Sequence, residues 1–500
     1  MHNIPILLSI FPFIVFLLLL FIAKTKLIWA SFITLTLYTL LAIFYWQMLP
    51  AFFFISYGKG TFVALDILII IFGAIFFLSI LNDLKIIKNI SHYLSVVSKD
   101  YRVQVIIIAW FFECFLEGTA GFGTPAAIAV PLLVGLGLTP IKALVVGLLG
   151  NSIPGIFGAA GTPIKVGFAT LNVTGVHVYA ALFNMVGLIV PAFMMWIITK
   201  DRPNGKKEFL SVLPFAIWSG ILFVVPSFFI AKYVGQEFPT ILGSIIGLIL
   251  AIISIKLKIF TPKESLAISE NTEDVHTMSA FKSFLPYGLL VIFLILGKFI
   301  IGKLGIPINL NGLKHTFNLF NPGFIFILVG IFVATIWKSK IEIFFKSIKL
   351  GFRGAIAPFF VIASMLIMVE VMKNSGNNLS DIPSAINIIA KALESNFLPF
   401  FAPLAGSFGA LMTGSVTASS VMFGSLFNTT AISMGLNTSI ILALLVVGGG
   451  IGNMIALADI LTAEAVLGEK NVERKIVRGV LIPCLTCLII VGIIGMIVLR

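Results

Sequence analysis

The chain has 500 residues, of which 59% are hydrophobic and only 11% are charged. Soluble domains are about half apolar and about a quarter charged, so this composition excludes an ordinary soluble protein. The net charge of +13 does not indicate a nucleic-acid partner, because the basic residues are spread along the chain and form no patch on one domain.

Apolar segments that could cross a bilayer recur along the whole chain. About 20 helical residues span a hydrocarbon core of roughly 30 Å, whereas a β-barrel would show short alternating segments. The sequence predicts an all-α, polytopic membrane protein with about 12–14 transmembrane helices. The predicted spans are 4–23, 27–48, 61–81, 103–117, 140–158, 176–199, 211–231, 239–256, 284–301, 321–337, 354–372, 396–412, 438–457 and 477–499.

The distribution of Lys and Arg predicts which loops are cytoplasmic. One alternating set of loops holds 23 of the 33 Lys and Arg residues, as the positive-inside rule requires of cytoplasmic loops. These loops are 24–26, 85–102, 200–207, 256–282, 338–353 and 470–478. Both termini are then predicted to lie outside, and the first apolar segment, which lacks a cleavage site, is predicted to be an uncleaved span.

The longest polar stretch, residues 255–282, predicts a cytoplasmic linker loop between two membrane halves. The N-terminal half covers residues 1–254 and the C-terminal half covers 283–500. Residues 85–98 and 340–353 are basic and amphipathic, a pattern that favours helices lying at the cytoplasmic surface.

Each half contains one Gly-rich interruption of its apolar sequence, at residues 113–165 and 405–459. The first includes EGTAGFGTPAAIAVPLL (117–133) and the second includes AGSFGALMTGSVTASSVMFGSLF (405–427). In each, a glycine run then meets an asparagine, at Asn151 and at Asn453. Paired interruptions of this kind predict broken helices around a binding site, although the different spacing in the two halves makes the repeat weak. The alternative is that small residues only allow helices to pack closely.

Ionisable residues at membrane depth are costly and therefore indicate function. Glu113 and Glu117 are one helical turn apart and share a face. Two carboxylates held close in a dry site would favour a proton on one of them, although pairing with a cation is the alternative. The other candidates are Asp66, Lys142, Lys165, Glu370, Asp459 and Glu464. Lys142 is expected at the interface. Asp66 and Glu370 are expected to snorkel or to form structural pairs near span ends, and Lys165 could offer a cation to an anionic substrate.

Broken helices also offer a binding chemistry. Their N-terminal ends present unpaired N–H groups and a partial positive charge, which suits an anion. Hydroxyl groups of Ser and Thr nearby could contact a carboxylate and a hydroxyl group. The two interruptions together therefore favour a small organic anion, which composition alone cannot name.

The run FLEGTAGFGTP (115–125), with the continuations PLLVGLGLTPIKA and NSIPGIFGAAGTPI, resembles the signature region of the lactate permease family. GSFGALMTGSVTASSVMFGSLF with GGGIGNMI resembles the later motif of the same family, in the same order. The resemblance implies a secondary active transporter, not an enzyme, that imports lactate or glycolate with a proton across the prokaryotic plasma membrane. It also implies an ion-transporter-like fold with inverted repeats and re-entrant hairpins. No cofactor is predicted, and a homo-oligomer is one possible assembly that the sequence does not determine.

The site residues predicted from the motifs and the resemblance fall into two groups. The proton-coupling residues are Glu117, Glu113 and Asp459. The substrate-binding residues are Gly118, Gly121, Gly123, Thr124, Pro125, Asn151, Ser152, Thr162, Ser415, Thr417, Ser419 and Asn453.

The chain departs from the family pattern at three positions. Val416 replaces an acid or amide, Ser420 replaces an asparagine, and Asp459 introduces a carboxylate. These changes bear on which hydroxy or keto acid is carried. The alternatives to proton symport are a sodium-coupled or dicarboxylate carrier of the same superfamily, a channel, or a membrane-embedded enzyme. We find no convincing metal-ligand or nucleophile pattern that would favour the enzyme.

Overall fold

The protein is described by a computed structural model that covers residues 3–23, 25–119, 121, 124–266, 278–302, 304–310, 312–456, 459–460, 463–464 and 472–499. The helices of the N-terminal half are α1 (Asn3–Leu17), α2 (Leu27–Phe44), α3 (Pro50–Asp83), α4 (Ile86–Ser95), α5 (Tyr101–Ile106), α6 (Glu113–Thr119), α7 (Thr124–Gly135), α8 (Pro140–Ser152), α9 (Gly158–Lys165), α10 (Val176–Phe183), α11 (Val190–Thr199), α12 (Gly205–Tyr233) and α13 (Pro239–Lys256). Turns of π-helix at Leu18–Ile22 and Ile107–Phe112 and of 3₁₀-helix at Ile153–Phe157 and Asn184–Ile189 continue some of these helices.

The C-terminal half adds further helices and one β-hairpin. The helices are α14 (Ala280–Ile301), α15 (Pro322–Ile336), α16 (Ile341–Asn374), α17 (Ala385–Ala392), α18 (Leu398–Thr413), α19 (Val416–Ser433), α20 (Thr438–Gly452) and α21 (Glu473–Val498), with a 3₁₀ turn at Asn453–Ile455. The antiparallel strands are β1 (Gly305–Leu310) and β2 (Leu313–Asn318).

The prediction of an all-α, multi-pass membrane protein is confirmed. In the described part of the chain, ten helices are long and apolar enough to cross a membrane, and three shorter apolar helices lie at Ile4–Leu17, Pro322–Ile336 and Leu398–Thr413. In its described residues, every predicted span coincides with a helix or with helical turns in direct succession. Because lipid offers no hydrogen-bond partners, the backbone pairs within the helices themselves.

Two elements differ from the expectation. Residues 340–353 are not a separate surface helix, because α16 runs without a break from Ile341 to Asn374. The β-hairpin at 305–318 has no counterpart among the predicted elements. Its alternating pattern is only six residues long in each strand and sits between two apolar helices, so its signal is weak.

Both Gly-rich interruptions break the helical backbone. In the first half, α6 and α7 are separated around Gly121, which has a φ of 59°, and α8 passes into 3₁₀ turns after Ser152. In the second half, α18 ends at Gly414 with a φ of 63°, and α20 passes into 3₁₀ turns at Asn453. Positive φ angles are cheap for glycine alone, so the glycines fix where each helix stops.

We call α5–α7 the first broken pair and α18–α19 the second, and the two begin at widely separated points of the structure. Arg202 lies 5.2 Å over the ring of Tyr101 at the start of α5, and Lys142 at the start of α8 pairs with Asp201 at 3.2 Å. Both ends of the first broken pair are therefore at the loop that follows α11.

On the second pair, a Cβ atom built at Gly495 of α21 would lie 3.3 Å from Pro399 O, at the start of α18. Gly479 of the same helix lies against Val145 of α8. Gly479 and Gly495 are about 24 Å apart along the axis of α21. The start of α18 is thus remote from the start of α8.

The sequence halves interleave in the packed structure. α3 packs along α15 and α16, α2 packs on α16, and α1 packs on α17. α20 of the second half contacts α10 and the 3₁₀ turn Ile153–Phe157 of the first. The two broken regions are therefore held against each other by helices from both halves.

Two glycines allow α18 and α20 to cross closely. A Cβ atom at Gly406 would collide with Leu445 O, and one at Gly448 would collide with Pro403 O. Each glycine is therefore required by the opposing backbone, which cannot give way as a flexible side chain would.

We expect Gly448→Ala to lower the stability of the purified protein by about 1–3 kcal/mol, because overpacking forces the two helices apart. Thermal unfolding in detergent would measure this as a lower midpoint. The matched control is Gly288→Ala in α14, where no atom lies within 4 Å of the added Cβ. Equal midpoints for the two variants would contradict the close-crossing explanation.

Candidate functional site

The two backbone breaks meet around one small cavity, which we call the central cavity. One wall comes from the first half and consists of Glu117, Gly121, Gly155, Gly158, Ala159, Thr162 and Pro163. The other wall comes from the second half and consists of Gly414, Ser415, Val416, Thr417 and Asn453. The cavity has an open volume of ≈ 20 Å³, which is room for about one water molecule.

Glu117 is the carboxylate that faces the central cavity. Its residue is 5% exposed, and its Oε2 atom has no hydrogen-bond partner among the described residues. Oε1 lies against Gly158, where a Cβ atom would collide with it, and near Gly121 and Gly155. Glycine at these positions therefore leaves the space that the carboxyl group occupies.

Glu113 lies one turn behind Glu117 and is fully buried. Neither carboxyl oxygen has a hydrogen-bond partner within the described part of the chain. Its Oε2 atom lies against Gly150, where a Cβ would be 2.6 Å away. Glu113 interacts electrostatically with Glu117, and Glu117 does so with Asp459. Of the three predicted proton-coupling residues, Glu117 lines the cavity, whereas Glu113 and Asp459 are buried outside its lining.

The second wall is the N-terminal end of α19. Ser415 is its N-cap, and its hydroxyl oxygen accepts a hydrogen bond from Ala418 N at 3.2 Å. The first N–H groups of a helix have no intrahelical acceptor, so those of Val416 and Thr417 are available at the cavity edge. The wall therefore combines N–H donors, hydroxyl groups and the positive end of a helix dipole.

Asn453 closes the cavity from α20. It is 5% exposed, and its Oδ1 atom has no hydrogen-bond partner among the described residues. Asp459 is buried and does not line the cavity.

Thr162 follows the sharpest break in the first half. Ala159, Ala160 and Gly161 have φ angles of 42°, 54° and 78°, and the Thr162 hydroxyl donates to Ala159 O at 2.5 Å. Left-handed alanines cost about 1–2 kcal/mol each. This backbone conformation is held by its surroundings and turns Thr162 and Pro163 towards the cavity.

Several predicted binding residues do not line the central cavity. Gly118 packs on Ile241 and Thr240, the Ser152 hydroxyl donates to Leu149 O, and the Ser419 hydroxyl donates to Gly406 O. Asn151 is buried behind the cavity, and neither polar atom of its side chain has a hydrogen-bond partner in the described part of the chain. Pro125 is buried in the first turn of α7.

The structure describes one predicted residue only in its backbone and another not at all. Gly123 lies outside the described residues, and of Thr124 only the backbone, at the start of α7, is described.

Sequence reasoning missed some cavity residues: Gly155, Gly158, Ala159, Pro163, Gly414 and Val416. All lie within the two interrupted regions. Pro163 and Gly414 carried a signal as helix breakers. Val416 stood out as a departure from the family pattern, but its side chain reaches Gly155 and Gly449 and so helps to fill the cavity.

The other ionisable candidates are paired away from the central cavity. Asp66 lies 3.2 Å from His315, and Glu370 lies 3.3 Å from Lys59 and 3.2 Å from Lys373. The ammonium of Lys142 contacts Asp201, and that of Lys165 lies 4.0 Å from Glu237 and 5.0 Å from the centre of the Phe320 ring. Glu464 is buried.

Comparison with known proteins agrees with the sequence motifs. A protein 31% identical over 85% of this chain and 85% of its own length is the "Putative L-lactate permease" of Haemophilus influenzae. The glycolate permease of Escherichia coli is 27% identical over 98% of this chain and 94% of its own length. The L-lactate permease of Bacillus subtilis is 27% identical over 80% of this chain and 78% of its own length.

Among solved structures, the YdaH transporter of Alcanivorax borkumensis matches with a TM-score of 0.47 and 12% identity, over 86% of this chain and 84% of that one. The family model described as L-lactate permease matches residues 5–307 and 305–500, which is almost the whole chain. The protein therefore belongs to the L-lactate permease family.

Proposed function

We propose that the protein is a secondary active carrier that imports a small 2-hydroxy monocarboxylate, lactate or glycolate, together with a proton. The observation that carries this proposal is the central cavity, where Glu117 faces the N-terminal end of α19 across the contact between the two halves. The relatives named lactate and glycolate permeases supply the substrate class.

The second wall suits the carboxylate of the substrate. No lysine or arginine is among the described residues that line the cavity, so the negative charge would be met by N–H groups and the helix dipole. A helix N-terminus carries about half a positive charge. The hydroxyls of Ser415, Thr417 and Thr162 and the amide of Asn453 can hydrogen-bond the carboxylate and the 2-hydroxyl group.

Glu117 couples this anion to a proton. At about 4 Å and an effective dielectric constant of about 20, two negative charges repel by about 4 kcal/mol, which is roughly a thousandfold in affinity. A charged Glu117 would therefore exclude the substrate from so small a cavity. Protonation of Glu117 removes the repulsion, so that the anion and the proton bind together.

Charge movement across the membrane favours the same stoichiometry. Bringing one anion into a negative-inside cell costs roughly 2.3 kcal/mol per 100 mV. One accompanying proton cancels this charge, and the pH gradient alone can then drive accumulation. Glu113, about 6 Å from Glu117 along the helix axis and nearer to the start of α5, is placed to receive the proton on its way to the cytoplasm.

The architecture supports alternating access. We interpret α5–α7 and α18–α19 as two re-entrant pairs in an inverted repeat, since they begin at widely separated points of the structure. The Lys and Arg distribution supports a cytoplasmic start of α5 and an outer position for both termini. A hydroxy acid is larger than the present cavity, so binding requires the two walls to separate.

Transport by the purified protein tests the substrate and the coupling ion. Proteoliposomes with an acidic outer solution and a neutral inner solution should accumulate labelled L-lactate, D-lactate or glycolate without sodium. A protonophore should release the accumulated substrate. Empty liposomes are the control. Accumulation that required a sodium gradient would replace proton coupling with sodium coupling, and equilibration without accumulation would indicate a channel.

The variant Glu117→Gln tests the proposed coupling role of Glu117. Glu117→Gln resembles the protonated carboxyl, so lactate exchange between the two sides of the membrane should persist while lactate-driven proton uptake falls at least tenfold. A pH-sensitive dye inside the proteoliposomes measures the proton, and labelled lactate measures the exchange. Glu394→Gln changes an exposed glutamate and should leave both rates unchanged. Proton uptake at the original rate in Glu117→Gln would assign the coupling to another residue.

The variant Gly158→Ala tests whether Glu117 needs the space beside Gly158. Gly158 has a φ of −60°, which alanine adopts freely, so Gly158→Ala differs only by a methyl group that collides with Glu117 Oε1. We expect uptake to fall at least tenfold with little change in thermal stability. Gly135→Ala, with no atom within 4 Å of its Cβ, is the control. Full activity of Gly158→Ala would show that Glu117 is not held there during transport.

A further inference from the structure

A second and much larger cavity lies beneath the β-hairpin. It has a volume of ≈ 550 Å³ and lies between β1–β2, α3 and the end of α9. We call it the hairpin cavity. Its charged lining residues are Lys59, Asp66, Lys165, Lys314 and His315. The distribution of Lys and Arg predicts that this face of the protein is the outer one.

The lysines of the hairpin cavity belong to clusters in which cations outnumber carboxylates. Glu370 is shared by Lys59 at 3.3 Å and Lys373 at 3.2 Å. Each such carboxylate can neutralise only one ammonium group, so this trio keeps one surplus positive charge. The member that lines the cavity is Lys59.

The second trio has the same composition. Glu237 contacts Lys298 at 2.6 Å and, more loosely, Lys165 at 4.0 Å. Lys165 is again the member that lines the hairpin cavity. Lys314 of the hairpin is exposed and has no ion pair among the described residues. Asp66 is the acidic residue of the lining, and His315 lies 3.2 Å from its carboxylate.

The hairpin cavity is adjacent to the central cavity along one segment of chain. Thr162 and Pro163 line the central cavity, whereas Lys165 and Val166 line the hairpin cavity. Thr162 and Lys165 are three residues apart, about 4.5 Å along a helix axis. A ligand in the hairpin cavity is thus separated from the central cavity by one helical turn.

The hairpin is fixed over this cavity by contacts with α3. The Phe62 ring lies 5.5 Å from the rings of His315 and Phe317, and Leu313 packs where a Cβ of Gly58 would be. These contacts hold Lys314 and His315 at the cavity wall. The cationic lining is therefore formed by ordered residues from three elements.

We infer that the hairpin cavity is a second carboxylate-binding site, an antechamber that takes the monocarboxylate from the outer solution before it enters the central cavity. This inference rests on the proposed function for its substrate. A cationic concave surface concentrates anions and raises their association rate by about 10–1000-fold. Because the three lysines of the lining outnumber its one carboxylate, that of Asp66, a bound anion can offset the remaining positive charge.

The test removes the surplus charge and leaves every carboxylate paired. In the variant Lys59→Gln/Lys165→Gln/Lys314→Gln, Glu370 keeps Lys373 and Glu237 keeps Lys298. We expect the half-saturation concentration for L-lactate uptake to rise about tenfold at low ionic strength, with the maximal rate unchanged. The difference should shrink when salt shortens the screening length to about 8 Å.

The control is Lys391→Gln, which removes an exposed lysine that does not line the hairpin cavity. An unchanged half-saturation concentration in the triple variant, or an equal rise in the control, would overturn the antechamber.

Equilibrium dialysis with labelled L-lactate separates this inference from the proposed function. Gly158→Ala protein should still bind lactate, and adding the three lysine substitutions should abolish that binding. Loss of accumulation in liposomes with binding retained would defeat the proposed function alone. Equal binding with and without the three lysines would defeat the antechamber alone.

Discussion

Backbone groups that leave a helix at membrane depth need polar partners or a wet cavity, and this requirement organises the whole structure. The chain breaks around Gly121, Ala159–Gly161, Gly414 and Asn453. Lipid cannot satisfy the freed N–H and C=O groups. The breaks from the two halves are therefore packed against each other and share one small cavity.

The interleaving of the halves keeps this arrangement in place. Close helix crossings such as that of α18 with α20 depend on glycines whose Cβ positions are occupied by opposing carbonyl oxygens. A similar restriction shapes the cavity itself, because Gly158 and Gly150 leave room for the carboxyl groups of Glu117 and Glu113. Small residues thus serve both helix packing and the placement of buried carboxyls, so the close-packing alternative and the broken-helix interpretation apply to different glycines of the same regions.

Electrostatics divides the molecule into two environments. The central cavity holds a carboxyl group and the positive end of a helix, with no lysine or arginine among the described residues that line it. The hairpin cavity one turn away holds three lysines. In the proposed mechanism, an anion is attracted by full charges near the outer solution and is then held by dipoles and hydroxyls beside a neutral Glu117. Weak, stepwise binding of this kind allows the substrate to leave again.

The amino-acid sequence by itself determined the helices and the places where they stop. Apolar length predicts each span, and glycine and proline at 121, 163 and 414 mark the breaks, because these are local properties of the chain. The motif FLEGTAGFGTP also singled out Glu117, which lines the central cavity.

The sequence did not determine which polar residues face the cavity, because burial and partners depend on contacts between distant segments. Asn151 and Asn453 occupy equivalent places in their motifs, yet only Asn453 lines the central cavity. Ser419 lies one turn from Ser415, but its hydroxyl donates to Gly406 O in the neighbouring helix. The sequence did not show which residue pairs with Lys165. In the structure, Glu237 lies 4.0 Å from it, although the two are 72 residues apart in the sequence. Only the packed tertiary structure decides such pairings, since they join residues that no local pattern connects.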